Sequence, residues 1–233
     1  MKKRGTRWPN SFSERRLCPP GVRSLPGQSC GFLFLEIGCG SGHSIRYLMS
    51  KGAARVHGLD ISSTQLGYAE RLNKKWIDAG SVTLTRSAME DPISVRPVDV
   101  VYSIYGFGWT VDPVKTLKNI RRYVKARGLF VWSFEHAVYA GAECRLGKVV
   151  VRRSYHDERA RLIWKGRRNA TGARRAYRKV STWFRLLTDA GFAVERYLEP
   201  APARSGRRDS LRIGSAAKAK LIPATMIFVC RKR

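Results

Sequence analysis

Acid is scarce in this sequence. Only 17 Asp and Glu stand against 45 Lys and Arg, a formal net charge of +28 over 233 residues. Such a deficit exceeds what solubility asks for and sets up a field that attracts polyanions, so RNA enters as a candidate partner. A basic surface with no dedicated partner fits the same charge. Cysteine is sparse and unpaired. Cys18, Cys30, Cys39, Cys144 and Cys230 are odd in number and never form a C-x-x-C pair. That speaks against a disulfide framework or a zinc site; no metal and a reducing, cytoplasmic setting are expected. Long apolar runs are missing as well. No stretch of about 18 apolar residues occurs, which argues against a membrane span. The opening "MKKRGTRWPNSFSERR" lacks the apolar core of a secretory signal.

What is present is an ordinary globular composition, 43% apolar, in a chain long enough for one sizeable core. The charge is not spread evenly. It gathers in the first thirty residues, in Arg145 to Lys179, and near the end in "RSGRRDS", "KAK" and "RKR". The expected division is therefore a basic N-terminal arm over 1–30 and one domain over 31–233, with 137–178 as a basic insert. Pro9, Pro19, Pro20 and Pro26 mark the arm as extended.

Between arm and insert, strand and helix patterns alternate. "FLFLEIG", "ARVHGLDI", "SVTLTRSA", "PVDVVYSIYGF" and "LFVWSFEH" read as strands. "GHSIRYLMSKGA", "SSTQLGYAERLNKKWIDAG" and "DPVKTLKNIRRYVKARG" read as helices, the last ending at Gly128. After the insert come a helix in "VSTWFRLLTDAG" and strands in "FAVERYLEP" and "ATMIFVCRK". Alternation of this kind predicts an α/β fold: a Rossmann-like, doubly wound, mostly parallel seven-stranded sheet with helices on both faces.

The first strand runs into "LEIGCGSGHS", with Gly38, Gly40 and Gly42 at alternate positions. Glycines there let a turn fold sharply and a ligand come close. The dinucleotide pattern G-x-G-x-x-G is not matched, since position 43 is His, and no G-K-[ST] follows for a phosphate loop. Glu36, just before the turn, is placed to receive a cationic amine. Asp60 closes the second strand, about twenty residues on, where a carboxylate takes two ribose hydroxyls. An acid for an amine, a bare turn and an acid for a ribose describe an amino acid joined to a nucleoside: S-adenosyl-L-methionine.

"FLEIGCGSGHSIRYL", "VHGLDIS" and "VVYSIYGFG" resemble the successive motifs of class I S-adenosylmethionine-dependent methyltransferases. The likeness is greatest to the broad small-molecule group that includes ubiquinone-biosynthesis-type enzymes. It spans roughly residues 31–136, and "YRKVSTWFRLLTDAGFAVERYLEP" resembles the helix and strand that follow in that group. The resemblance implies that Glu36, Gly38, Cys39, Gly40 and Gly42 line the methionine half of the cofactor. It implies Asp60 at the ribose, Ile61 on adenine with Gln65 nearby, and Ala88, Met89 and Glu90 at the adenine edge. Ser103, Ile104 and Tyr105 come beside the reactive methyl. Relatives commonly carry an acid where Ser87 stands and a His where Tyr177 stands; this chain departs from the pattern at both. Cys39 reads as a small residue between glycines rather than a nucleophile.

Methyl transfer from a sulfonium is an in-line displacement, so the enzyme's main task is to align donor and acceptor at about 3 Å. Tyr105, Phe107 and Trp109 are placed for cation–π attraction to the sulfonium, or equally as pocket wall and core. His136, after the fifth strand, is the candidate base, against a purely structural role; His156 is a weaker one. The arm and the insert are expected to build the acceptor pocket. Three functions compete: transfer to a small-molecule acceptor, transfer to RNA gripped by basic arms, and cofactor binding without catalysis. "SIYGFG" lacks the N-P-P-Y or D-P-P-Y tetrapeptide of amino-methylating nucleic-acid enzymes, and no Pro-Cys pair for cytosine chemistry is present. The small-molecule reading is the expectation.

Overall fold

The computed structural model describes residues 31–158, 161–164, 173–202 and 216–233. The expected arm over 1–30 lies outside them. Seven strands share one sheet: β1 (Leu33–Ile37), β2 (Arg55–Asp60), β3 (Val82–Arg86), β4 (Val98–Ile104), β5 (Val124–Glu135), β10 (Phe192–Leu198) and β11 (Thr225–Lys232). Their spatial order is β10-β11-β5-β4-β1-β2-β3. The five from β5 to β3 run parallel, and β11 lies antiparallel between β5 and β10. The mostly parallel, Rossmann-like sheet is thus as the alternation predicts.

Parallel strands demand helices on both faces, and the apolar stripes of the helices supply them. On one face lie α1 (His43–Ser50) and α2 (Ser63–Asp78), with Ile45, Leu66, Trp76 and Ile77 against Phe34, Val56 and Val100. On the other lie α3 (Pro113–Tyr123) and α5 (Val180–Asp189), through Leu117, Ile120, Trp183 and Leu187. The densest packing on that second face is aromatic. Trp132 stacks on Phe228 at 4.9 Å, while Phe107 and Trp183 meet it edge-on or tilted at 5.0 and 4.8 Å. Each such buried ring contributes about 1.5–3 kcal/mol.

One boundary departs from the sequence pattern. The third helix was expected to reach Gly128, yet it stops at Tyr123 and Val124 already belongs to β5. Val124 is fully buried and pairs with Val98, so a β-branched side chain gains more in the sheet than on the helix. The register then shifts, with Arg127 in the left-handed region (φ 59°), before regular pairing resumes at Leu129.

The insert is more regular than its sequence suggests. After α4 (Ala137–Ala140) come two antiparallel hairpins, β6 (Ala142–Arg145) with β7 (Lys148–Val151) and β8 (Arg161–Trp164) with β9 (Ala173–Ala176). The backbone of β9 runs alongside the 3-10 turn Phe107–Trp109 that follows β4. A short helix, α6 (Ala216–Ala219), is clipped to the first hairpin by Lys218. Its buried ammonium donates to the carbonyls of Tyr139 and Ala142 at 2.7 and 2.6 Å and lies 3.6 Å from the Tyr139 ring centre. Burial lowers its pKa, against the pull of Glu135 and Glu143. Among the described residues, no helix is long and apolar enough to cross a membrane.

Candidate active site

Strand order reverses between β1 and β4, and in open α/β sheets that crevice, at the carboxyl ends of the strands, receives the ligand. The turn after β1 and the turn after β4 meet there backbone to backbone. A side chain on Gly38 would begin 2.9 Å from the Gly106 Cα, and Gly38 itself has φ 70°. Neither position admits another residue without displacing main chain. Ser103, buried beneath, donates to the Ile37 carbonyl at 2.6 Å and accepts from the Phe107 N–H at 2.8 Å. It fixes the two turns at one separation.

Asp60 organises the other wall. Its Oδ2 accepts from the Gly40 N–H at 2.8 Å and its Oδ1 from the Ser62 N–H at 2.9 Å. Each carboxylate oxygen keeps a second lone pair, enough for a vicinal diol. Ser62 in turn caps α2 by accepting from the Gln65 N–H. Ile61 stands 67% exposed beside this carboxylate, an apolar side chain with nothing to cover it among the described residues. The Gln65 Oε1 lies 3.9 Å from where a side chain on Gly40 would start. The structure therefore brings Gly38, Gly40, Gly42, Asp60, Ile61 and Gln65 to one cradle.

Glu36 sits at its floor. The carboxyl is buried and accepts from Ser44 Oγ at 2.6 and 2.5 Å and from the Tyr102 hydroxyl at 3.0 Å. Burial pushes its pKa up to about 8, with the two hydroxyls opposing and Asp60 adding to the rise. A buried acid facing hydroxyls rather than a cation stays protonated at neutral pH, and a cationic group arriving beside it would favour its ionised form. Cys39 is buried and its thiol is pushed far up by burial, so it carries no thiolate and offers no nucleophile.

The loop after β3 is tied to the turn after β4. Glu90 accepts from Thr110 Oγ1 at 2.7 Å and from the Val111 N–H at 2.9 Å. Asn119 donates to the Met89 and Glu90 carbonyls. The Met89 side chain packs on the core, Ala88 accepts from Ser87 Oγ, and Ser87 N–H bonds the Asp60 carbonyl. Ser87 thus holds its loop to β2 without supplying a carboxylate.

At the mouth, Ile104 is 46% exposed and Tyr105 takes a left-handed φ of 57°. A non-glycine residue there is held by its surroundings, here by a hydrogen bond between the Tyr105 and Thr225 hydroxyls and by the Phe134 ring at 6.0 Å. Trp109 meets Phe134 edge-on. Phe107 is fully buried in the aromatic core, away from this mouth. His136 is 4% exposed and caps α4: Nδ1 accepts from the Val138 N–H at 3.1 Å, and Nε2 lies 2.9 Å from Glu199 Oε1. Burial lowers its pKa against the opposing pull of Glu199. With Nδ1 accepting from the backbone, the proton of the neutral ring sits on Nε2, close to Glu199 but without hydrogen-bond alignment. His156 is exposed, in an open hollow with Glu158, Lys179 and Arg185 away from the cradle.

Residues 35–132 match a family described as a methyltransferase domain. That span runs from the strand before the glycine turn to the middle of β5, and so covers the whole cradle. Over that span the chain carries a class I, S-adenosylmethionine-dependent methyltransferase domain. Its cofactor is S-adenosyl-L-methionine. A Haemophilus influenzae protein of undescribed function is 25% identical over 195 residues, 78% of this chain and 75% of that one. Cycloartenol-C-24-methyltransferase 1 of rice is 30% identical over 100 residues, 42% of this chain and 29% of its own. Among solved structures, an S-adenosylmethionine-dependent methyltransferase from Mesorhizobium loti shares the fold at a TM-score of 0.68. It is 22% identical, with 94% of this chain and 95% of that one covered. A Listeria monocytogenes protein described in the same terms superposes at 0.70, with 23% identity and 90% and 93% covered.

Sequence reasoning missed several parts of this methyltransferase's site. Tyr102 pairs directly across from Glu36 in the parallel register, so its hydroxyl reaches the carboxyl. Ser44 does so from the first turn of α1. The signal for both was present: polar residues at positions where strand and helix face the sheet interior. Thr225 and Glu199 come from the far end of the chain and gave no such signal.

Proposed function

We propose that this methyltransferase acts on a small-molecule acceptor, by in-line displacement at the sulfonium methyl. The observation that carries the proposal is the mouth at the carboxyl edge of β4 and β5. There the exposed Ile104 stands beside Tyr105 and Trp109, whose rings pack on the buried Phe134, an apolar and aromatic surface suited to an apolar or flat substrate. The rice relative, whose name specifies a sterol-type acceptor, supports the same class. In this reading Glu36 receives the cofactor's amine, the Gly38–Gly42 turn passes beneath its methionine portion and Asp60 holds the ribose. Ile61 and Gln65 meet adenine, with Ala88, Met89 and Glu90 along its edge. Ser103 keeps the two turns apart, and Ile104 and Tyr105 flank the methyl. The sulfonium supplies the electrophilic methyl; the protein's contribution is alignment, exclusion of water and aromatic stabilisation of positive charge.

His136 enters as a positioning residue. Using it as a base requires releasing Nδ1 from the Val138 N–H, because Nε2 carries the proton. The insert over 137–178 then serves as the acceptor-side wall. The rival acceptor is RNA, favoured by the +28 charge. Labelled methyl from S-adenosyl-L-methionine, traced in a cell extract split into RNA and small-molecule fractions, separates the two. Label among small molecules is expected. Label confined to RNA overturns the proposal and makes the charge the better guide.

A further inference from the structure

The cradle is built from two pieces of chain that sequence order keeps apart. The glycine turn and α1 serve the methionine half, while Asp60, Ile61 and α2 serve the nucleoside half. Besides Asp60, which accepts from the Gly40 N–H, a fully buried side chain bonds across them. Asn73, on the third turn of α2, has no solvent exposure, and its Nδ2 donates to the Gly42 carbonyl at 3.1 Å and to the Ala69 carbonyl at 2.9 Å. Both partners are acceptors, which fixes the orientation of the amide. Gly42 is the N-cap of α1 at φ 73°, and its carbonyl also accepts the first helical bond, from the Arg46 N–H.

The fit is close. A side chain on Gly42 would begin 2.6 Å from Asn73 Nδ2 and 2.9 Å from Ala69 Cβ. The turn therefore rests on α2 through Asn73 and Ala69. Asn73 Oδ1 is buried and has no hydrogen-bond partner among the described residues. An uncompensated buried carbonyl is costly, so a residue chosen for stability alone would be apolar here. The amide is retained for what its Nδ2 does.

We propose that Asn73 is a positioning residue that sets the distance between the two halves of the cofactor cradle. It touches no part of the ligand; it acts through Gly42. The inference rests on the assignment of this cradle to S-adenosyl-L-methionine. A tie of this kind matters for a ligand that spans both halves and not for one that occupies a single half.

The test compares Asn73→Leu, close in volume and able to keep the packing, with the unaltered protein. S-adenosylhomocysteine binding is measured by calorimetry and adenosine binding by NMR titration, which reaches weak affinities. The expected result is roughly a tenfold loss for S-adenosylhomocysteine, with adenosine affinity unchanged within about twofold. Asn73→Asp, whose carboxylate faces two carbonyls, should lose more. Unchanged S-adenosylhomocysteine affinity in Asn73→Leu overturns the inference. So does an equal loss for both ligands, which would reduce Asn73 to support of the fold. Failure of the unaltered protein to bind S-adenosylhomocysteine would instead remove the cofactor assignment itself.

Discussion

The two ends of the sheet are built by different rules. From β3 to β4, the cofactor half is assembled from neighbours in sequence. Strand, turn and helix follow within a few residues, and the contacts that shape the turns include many in which a backbone N–H meets a carboxylate or carbonyl. Gly40 on Asp60, Ser62 on Asp60, and Gly38 and Cys39 on the Leu59 carbonyl are of this kind. From β5 to β10, the half proposed to face the acceptor is assembled from distant pieces. Tyr105 meets Thr225, His136 meets Glu199, and Lys218 meets Tyr139 and Ala142. Main-chain contacts tolerate wide change in side chains, whereas the second set depends on the identity of each residue. The same division separates a cofactor common to a family from an acceptor particular to one enzyme.

The comparison breaks first at Asp60. Asp60→Ala removes the acceptor of the Gly40 N–H together with the proposed ribose ligand. We expect S-adenosylhomocysteine affinity to fall by roughly a hundredfold or more by calorimetry, with the acceptor half intact by its tryptophan fluorescence. Affinity retained within a few fold would mean the cradle does not read the ribose through this residue.

Glu36 gives the next largest effect and a pH signature. Its carboxyl, raised to about 8 by burial, is protonated at neutral pH, and the cofactor's ammonium group favours the ionised form. Binding should therefore release close to one proton near pH 7, and affinity should climb with pH up to about 8. Calorimetry in buffers of different ionisation enthalpy reads this directly. Glu36→Gln should bind roughly tenfold or more weakly, with no proton released. The ligand-free protein should show the opposite trend in stability. Its folded state keeps a proton that the unfolded chain gives up above about 4.5, so stability declines from about pH 4.5 to about 8. Glu36→Gln should flatten that decline.

On the acceptor side, the smallest effect is expected at His136. His136→Ala loses a helix cap and one member of a half-exposed pair, costing about 1 kcal/mol of stability. S-adenosylhomocysteine should bind as before, and transfer of labelled methyl should stay within about tenfold. A loss of a thousandfold or more with unchanged cofactor affinity would make the histidine a base after all.

How far the sequence could be read follows the same line. The seven strands, the helices beside them and the cradle residues rest on local patterns: apolar runs, glycine spacing, a serine cap, an acid at a strand end. Where a local pattern misled, a distant partner was the cause. "VKARG" continues a helical period, but Val98 across the sheet draws Val124 into a strand. The hairpins of the insert are masked by arginine and lysine, whose charges hide a period of two. Asn73 looked like one more polar residue of an amphipathic helix, and nothing local distinguished its buried position from an exposed one. Tyr102 was legible only in its parity, facing the same way as Val100, and not in its bond to Glu36.

The place of β11 has a consequence in time. It is the last described strand to be made, yet it lies between β5 and β10, and among the described residues β10 has no other neighbour in the sheet. A chain emerging from the ribosome can pair β1 to β5 and close the cofactor cradle early. Until residue 232 is out, β10 has nothing to join and Trp132 has no Phe228 to stack on. The half of the molecule that welcomes the methyl donor can thus be completed first, and the half proposed to choose where the methyl goes waits until β11 has been made.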